Sequence, residues 1–148
     1  MVTEVQSGRK KMIKYYKGTV FNSGAEAIVN TVNCVGVMGA GLALEFKLRY
    51  PEMYEDYKQK CDKKLILAGN VDYFKYRNDY IIINFPTKWH FKYPSKLEWI
   101  EQGLDDFIDT YQNYDIKSVA FPKLGTNKGG LEWKLVRKIM EEKLSNLD

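Results

Sequence analysis

The stretch 28-IVNTVNCVGVMGAGLALEFKLRYPEMY-54 decides how the rest of the chain is read. It opens as a β-branched apolar strand, passes through asparagines, a cysteine and three glycines, and closes as a basic, aromatic helix. Residues 27–33 (AIVNTVN) read as a mostly buried strand. The run GLALEFKL after Ala40 reads as a helix that halts near Pro51, where PEMYEDYKQKC starts again with proline in a first helical turn. A buried strand that runs through glycines into a helix is the repeating unit of an α/β sheet.

Working outward, MIKYYKGTV (12–20) reads as the first strand, and residues 1–11 as a flexible or tag-like N-terminus. The basic run RKKMIKYYK at 9–17 reads as a solvated tail and strand edge. VDYFKY (71–76) and YIIINF (80–85) flank Arg77-Asn78-Asp79, a turn of hairpin length. IIINF has no polar alternation before Asn84, as expected for a strand covered on both faces. Ser95-Lys96-Leu97-Glu98 has capping-box spacing. Behind it, Leu97, Ile100, Leu104, Phe107, Ile108 and Tyr111 fall on one helical stripe. IKSVAFP (116–122) reads as another buried strand, and EWKLVRKIMEEKL after Leu131 as a closing amphipathic helix. No linker or internal repeat interrupts the pattern. The expectation is one α/β domain over residues 1–148, with a mixed, largely parallel central sheet sandwiched between helices.

The chain has 148 residues, 45% of them hydrophobic, enough for a substantial core and against disorder. No apolar run approaches the roughly 20 residues of a membrane span. No secretory signal precedes the first strand, which points to a cytoplasmic protein without a membrane partner. Cys34 and Cys61 make no disulfide framework, and with His90 as the single histidine they are too few for a zinc site. The net charge of +4 suits an anionic partner such as a nucleotide or nucleic acid.

Each expected parallel strand ends in an unusual loop. The second strand runs into Asn33-Cys34-Val35-Gly36-Val37-Met38-Gly39-Ala40-Gly41. IIINF runs into Pro86-Thr87-Lys88-Trp89-His90. SVAF runs into Pro122-Lys123-Leu124-Gly125-Thr126-Asn127-Lys128-Gly129-Gly130. Open α/β sheets bind ligands outside the carboxyl ends of their strands. Two of these loops are glycine-rich and lead into helices, so converging backbone N–H groups and helix N-termini suit a diphosphate. Taken singly, either loop is also read as a plain glycine turn. The spacing excludes common nucleotide fingerprints: Leu42 follows Gly41 where a phosphate-binding P-loop needs lysine, and Leu44 stands where a dinucleotide motif needs glycine.

Among single residues, Lys88 leaves an apolar strand at the ligand edge, where a partly desolvated amine can attack a carbonyl. Solvation in a loop is its alternative. Asn33, beside the glycines, reads as a contact to ribose hydroxyls, while Asn30 reads as tying down backbone. His90 reads as a packing or ligand contact. Trp89, Phe91 and Tyr93 either stack on a base or cover the core. Cys34 reads as a small buried residue, and Glu45 as part of the first helix's exposed face.

These segments resemble macrodomains. The residues that carry the resemblance are NTVNCVGVMGAG with the following helices, IINFPTKWH, PSKLEWIEQGLDDF and SVAFPKLG-x3-GGLEW. They resemble most the DNA ADP-ribosyl glycohydrolases that serve as antitoxins (the DarG type), relatives of terminal ADP-ribose protein glycohydrolase. The resemblance implies an ADP-ribose ligand or an ADP-ribosylated group. The first glycine loop, Asn33 to Gly41, would wrap the distal ribose and part of the diphosphate. Thr87 would lie beside it, and Leu124, Gly125, Thr126, Asn127, Lys128 and Gly129 would close over the diphosphate. Lys88 stands where the family carries its catalytic lysine, and Trp89 and His90 are placed to touch the leaving group. The implied activity is release of ADP-ribose from a nucleic acid, a DNA base, without metal or cofactor. Binding of free ADP-ribose or a related signalling nucleotide without turnover, and ADP-ribose 1″-phosphate phosphatase action, are the alternatives. A cognate ADP-ribosylating toxin is the implied protein partner, and the expected state is monomeric. Longer antitoxins of this kind carry a further C-terminal region for toxin contact, for which 148 residues leave no room. The second loop departs from the family's usual G-C-G-L-G-G-L. It also lacks the aspartate of the protein-directed relatives, which favours DNA as substrate or binding alone.

Overall fold

The computed structural model describes residues 2–6, 12–77, 80–126, 129–145 and Leu147. Its elements are β1 (Val2–Gln6), β2 (Met12–Tyr16), β3 (Ala27–Val32), α1 (Gly41–Arg49), α2 (Pro51–Asp62), β4 (Asp72–Tyr76), β5 (Tyr80–Pro86), α3 (Leu97–Thr110), β6 (Ser118–Phe121) and α4 (Trp133–Leu144). The strands form one sheet in the order β2-β1-β6-β3-β5-β4. β3 pairs in parallel with both β5 and β6. The pairs β1–β2, β1–β6 and β4–β5 are antiparallel, so parallel pairing is confined to the three central strands.

Period-two alternation along each central strand supplies two cores. Ala27 and Val29 of β3, Ile81, Ile83 and Phe85 of β5, and Val119 and Phe121 of β6 face α3 and α4. Ile28 and Val32, Ile82 and Ala120 face α1 and α2. That is why IIINF carries no polar alternation: both of its faces are covered. The stripe predicted on α3 is present, with Ile100, Leu104 and Phe107 buried and Leu97 and Ile108 partly so. Among the described residues, no helix is long and apolar enough to cross a membrane.

Three readings are corrected. Residues 2–6, assigned to a flexible N-terminus, form β1 and pair with both β2 and β6. The first strand stops at Tyr16 rather than Val20, and Val20–Asn22 is a 3-10 turn. No capping box forms at α3: its N-cap is Lys96, which makes no side-chain capping bond, and the buried Ser95 hydroxyl has no hydrogen-bond partner among the described residues. Instead the Ser95 backbone N–H donates to the Gly129 carbonyl at 2.8 Å, tying the start of α3 to the glycine loop after β6.

Candidate ligand-binding cleft

The parallel centre brings three loops to one edge, because β3, β5 and β6 run in the same direction. β2 joins them. It is antiparallel to β1, which is antiparallel to β6, so β2 also ends at this edge. Between the loops lies a cleft of about 680 Å³. From the predicted site, Asn33, Val37, Gly39, Ala40, Gly41, Thr87, Lys88, Gly125, Thr126 and Gly129 line it. Asn127 and Lys128 lie outside the described residues.

The first loop is built by α2 from below. The Tyr57 hydroxyl donates to Asn33, 2.8 Å from its backbone oxygen and 2.9 Å from Oδ1, and the Tyr54 hydroxyl donates to the Gly36 carbonyl at 2.9 Å. Asn33 Oδ1 also accepts the N–H groups of Val35 and Val37, while its Nδ2 donates to the Val37 carbonyl. The carboxamide read as a ribose contact therefore also shapes the loop, with Asn33 on the cleft wall. Gly36 takes φ +85° and lies against Cys61 and Lys58, a conformation costly for a residue with a Cβ. With its carbonyls held from α2, the loop delivers the chain to α1. No side chain caps that helix. The first-turn N–H groups of Gly41, Leu42 and Ala43, which no helical carbonyl can reach, sit on the cleft wall. Unpaired N–H groups at a helix N-terminus suit an anion.

Asn30, Cys34, Met38 and Leu124 point away from the cleft into the core. Asn30 Nδ2 donates to Asn84 Oδ1 at 3.2 Å, an amide pair across the β3–β5 register, so it ties side chain to side chain rather than to backbone. Cys34 lies beneath the loop that carries Lys88: its N–H donates to the Trp89 carbonyl at 3.0 Å, and its thiol lies 3.6 Å from the Lys88 carbonyl. Two loops are stitched together at the position of the lysine. Burial pushes the Cys34 thiol up to about 12 and raises Cys61 as well, so neither is a nucleophile near neutrality. Val35 is exposed, and neither it nor Gly36 faces the cleft.

Burial also raises Tyr57, Tyr73 and Tyr80. All these groups are neutral when protonated, and their folded pKa lies above the unfolded one. Their stabilisation is therefore complete below the ordinary thiol and phenol range and is lost as pH rises through it towards 12. Thermal melts followed by circular dichroism should show midpoints that fall steadily above about pH 9, with both thiols resisting iodoacetamide until the protein unfolds.

Lys88 is half-buried, and its Nζ donates to the Phe91 carbonyl at 3.4 Å. Trp89, Phe91 and Tyr93 are exposed, which removes the core-covering alternative for them. Phe91 lines the cleft, whereas Trp89 and His90 stand on the rim beyond it. Glu45 pairs with Arg49 at 2.7 Å on the outer side of α1. Sequence reasoning missed Gly18, Thr19 and Val20 after β2, together with Thr31, Leu42 and Lys123. The glycine at 18, two residues beyond the end of β2, was the available signal for the first three. Among the described residues, no carboxylate or imidazole lines the cleft.

Residues 29–140 match the Macro domain family. A DNA ADP-ribosyl glycohydrolase of Mycobacterium tuberculosis is 48% identical over 125 residues, which cover 82% of this chain and 36% of that protein. The macrodomain of Mycobacterium tuberculosis DarG superposes with a TM-score of 0.84 at 43% identity, over 90% of this chain and 92% of that one. A Thermosipho africanus protein described as a DNA ADP-ribosyl transferase–DNA ADP-ribosyl glycohydrolase fusion is 33% identical over 150 residues, covering 89% of this chain and 39% of the fusion. Thermosipho africanus DarTG in complex with ADP-ribose superposes with a TM-score of 0.86 at 32% identity, covering 98% of this chain and 41% of that one. The chain thus spans little more than a third of the length of these full-length relatives. The topology, the glycine loops at the carboxyl edge and the match over most of the sequence show that this chain belongs to the macrodomain family.

Proposed function

We propose that the chain binds ADP-ribose and acts as a glycohydrolase that releases it from a modified DNA base, with Lys88 as the reacting group and no metal. The observation that carries this reading is the placement of Lys88: a half-buried lysine in a cleft between an uncapped helix N-terminus and a second glycine loop. The diphosphate is suited to the N–H groups of Gly41 to Ala43 on one side and to Gly125, Thr126 and Gly129 on the other. The distal ribose then lies towards Lys88. The kinship with DNA ADP-ribosyl glycohydrolases and with a protein seen in complex with ADP-ribose supports the same ligand and substrate.

Hydrolysis by a pair of carboxylates does not suit a cleft whose described lining has none. An amine offers another route. As the neutral amine, Lys88 Nζ adds at C1″ of the ribose, the bond from C1″ to the base breaks, and the base leaves with one amine proton. The ring bond from C1″ to O4″ then opens, the remaining N–H proton passes to O4″, and the linkage becomes an imine. One water then hydrolyses the imine, returning the amine and free ADP-ribose. A fixed ammonium that steadies charge on the ribose or the leaving base is the non-covalent form of the same role. A cytoplasmic monomer whose protein partner is an ADP-ribosylating toxin belongs to this reading, supported by the fused transferase and glycohydrolase.

The lack of a lining carboxylate also favours a second reading, binding without turnover. Wild-type protein incubated with an ADP-ribosylated oligonucleotide, an ADP-ribosylated protein and ADP-ribose 1″-phosphate separates the possibilities. Chromatography is expected to find free ADP-ribose from the oligonucleotide. Calorimetric binding of ADP-ribose with no release from any substrate would establish a reader instead. Inorganic phosphate from the third substrate would establish a phosphatase.

A further inference from the structure

The arm that follows β5 presents more aromatic surface to solvent than a cleft wall requires. Trp89 and Phe91 are each 45% exposed and Tyr93 is 64% exposed. The arm is nevertheless ordered by its own contacts. The Lys92 N–H donates to His90 Nδ1 at 3.1 Å, and the Tyr93 N–H to the His90 carbonyl at 3.1 Å. The His90 ring stacks on Phe91 with centroids 4.3 Å apart, and Trp89 packs edge-on against Trp99 at 6.4 Å. Behind them, Lys96 Nζ lies 5.1 Å from the Trp99 ring centroid.

Charge runs with the aromatics. From Tyr80 to Leu97 the chain has no Asp or Glu, and Lys88, Lys92 and Lys96 recur every fourth residue across the arm. The surface is continuous with the cleft, because Lys88 and Phe91 line both. Exposed rings interleaved with lysines are what an unpaired polynucleotide needs: bases stack on the rings and phosphates meet the ammonium groups. A duplex keeps its bases stacked on one another and gains nothing from the rings.

We infer that the arm Lys88–Lys96 is a stacking platform for single-stranded DNA, holding the nucleotides that flank the modified base while its ADP-ribose occupies the cleft. The inference rests on the DNA-directed reading above. It adds that recognition extends beyond the modified nucleotide, onto a surface that adjoins the ADP-ribose cradle.

The test compares an ADP-ribosylated mononucleoside with the same nucleoside inside a ten-nucleotide single strand. The wild type is set against the double variant K92A/Y93A, whose side chains lie outside the cleft. The wild type is expected to show a kcat/KM on the strand at least roughly tenfold above that on the mononucleoside. The double variant should lose that advantage while keeping its rate on the mononucleoside and its melting midpoint. In parallel, fluorescence anisotropy with an unmodified single strand should show weaker binding by the variant. Its dependence of log affinity on log salt should be shallower by roughly 0.7 for the lost lysine contact. Equal strand binding by wild type and variant, or duplex bound as well as single strand, would overturn the platform and leave the glycohydrolase reading standing. Absence of release from either substrate would count against the glycohydrolase reading alone, since the anisotropy arm still decides the platform.

Discussion

Lys88→Ala is expected to lower the single-turnover rate of ADP-ribose release by roughly 10²–10³-fold, the usual effect of removing one group that meets charge formed in a transition state. ADP-ribose affinity by calorimetry should change by less than about fivefold, since a single half-buried amine at an open cleft contributes little to ground-state binding beside the backbone donors. The split follows from the geometry. The diphosphate is suited to backbone donors of α1 and the second glycine loop, which do not depend on the lysine side chain. The loop itself is held by the Cys34 N–H to the Trp89 carbonyl, a backbone bond that the substitution leaves in place. Lys88→Arg separates the two chemical forms: it keeps the positive charge but cannot form the imine under these conditions. Recovery of release by arginine would favour the electrostatic role. Borohydride trapping of an ADP-ribose adduct on the wild type, absent from both variants, would favour the covalent one. A release rate unchanged in Lys88→Ala would remove the lysine from the chemistry.

Gly103→Val is expected to be the most damaging single change to the fold. Gly103 lies on the buried face of α3 against the Phe85 ring. A Cβ there would fall 2.6 Å from Phe85 Cε1 and closer still to Cζ, and Phe85 is fully buried. Neither a closed core nor a helix held at both ends yields easily, so overpacking should cost about 3 kcal/mol, lowering the melting midpoint by roughly 10 °C. The effect should reach the cleft. α3 begins beside Ser95, whose N–H holds the Gly129 carbonyl, and a Cβ at Gly125 would already crowd Leu131, Ile100 and Ser95. Displacing α3 therefore loosens the second glycine loop and weakens ADP-ribose binding at temperatures where the protein remains folded. Phe85→Leu in the Gly103→Val background should recover part of the lost stability, although Phe85→Leu alone is destabilising. Additive losses in the double variant would mean that the close approach is not the cause.

Patterns that depend on near neighbours were legible in the sequence. The apolar runs of β3, β5 and β6, the restart of the helix at Pro51 and the glycine loops beyond β3 and β6 identified the sheet's carboxyl edge and half of the residues that line its cleft. Features set by distant partners were not. Val2–Gln6 carries a weak local signal, and it becomes a strand because Thr3 to Gln6 lie opposite Phe121 to Ser118, at the far end of the chain. Gly18, Thr19 and Val20 reach the cleft only because two antiparallel pairings turn β2 into the direction of β6. Ser95-Lys96-Leu97-Glu98 has the local spacing of a capping box, yet the glycine loop takes the Ser95 N–H, and among the described residues the hydroxyl finds no partner. Asn33 lines the cleft as expected, but its further part in the loop's own hydrogen bonds was not legible, because Tyr57 arrives from α2. Side-chain chemistry indicates what a residue can bond to, and the fold determines which partner reaches it first.

The most direct measurement is a crystal structure of the protein with ADP-ribose. The account predicts diphosphate oxygens within roughly 3 Å of the first-turn N–H groups of α1, enclosed on the other side by the loop at Gly125. It also predicts C1″ of the distal ribose within roughly 3.5 Å of Lys88 Nζ, the separation of a near-attack arrangement. A ligand seated in the cleft with its ribose C1″ turned away from Lys88 would contradict the glycohydrolase account and leave only a binder. ADP-ribose bound elsewhere on the molecule would contradict the assignment of the cleft itself.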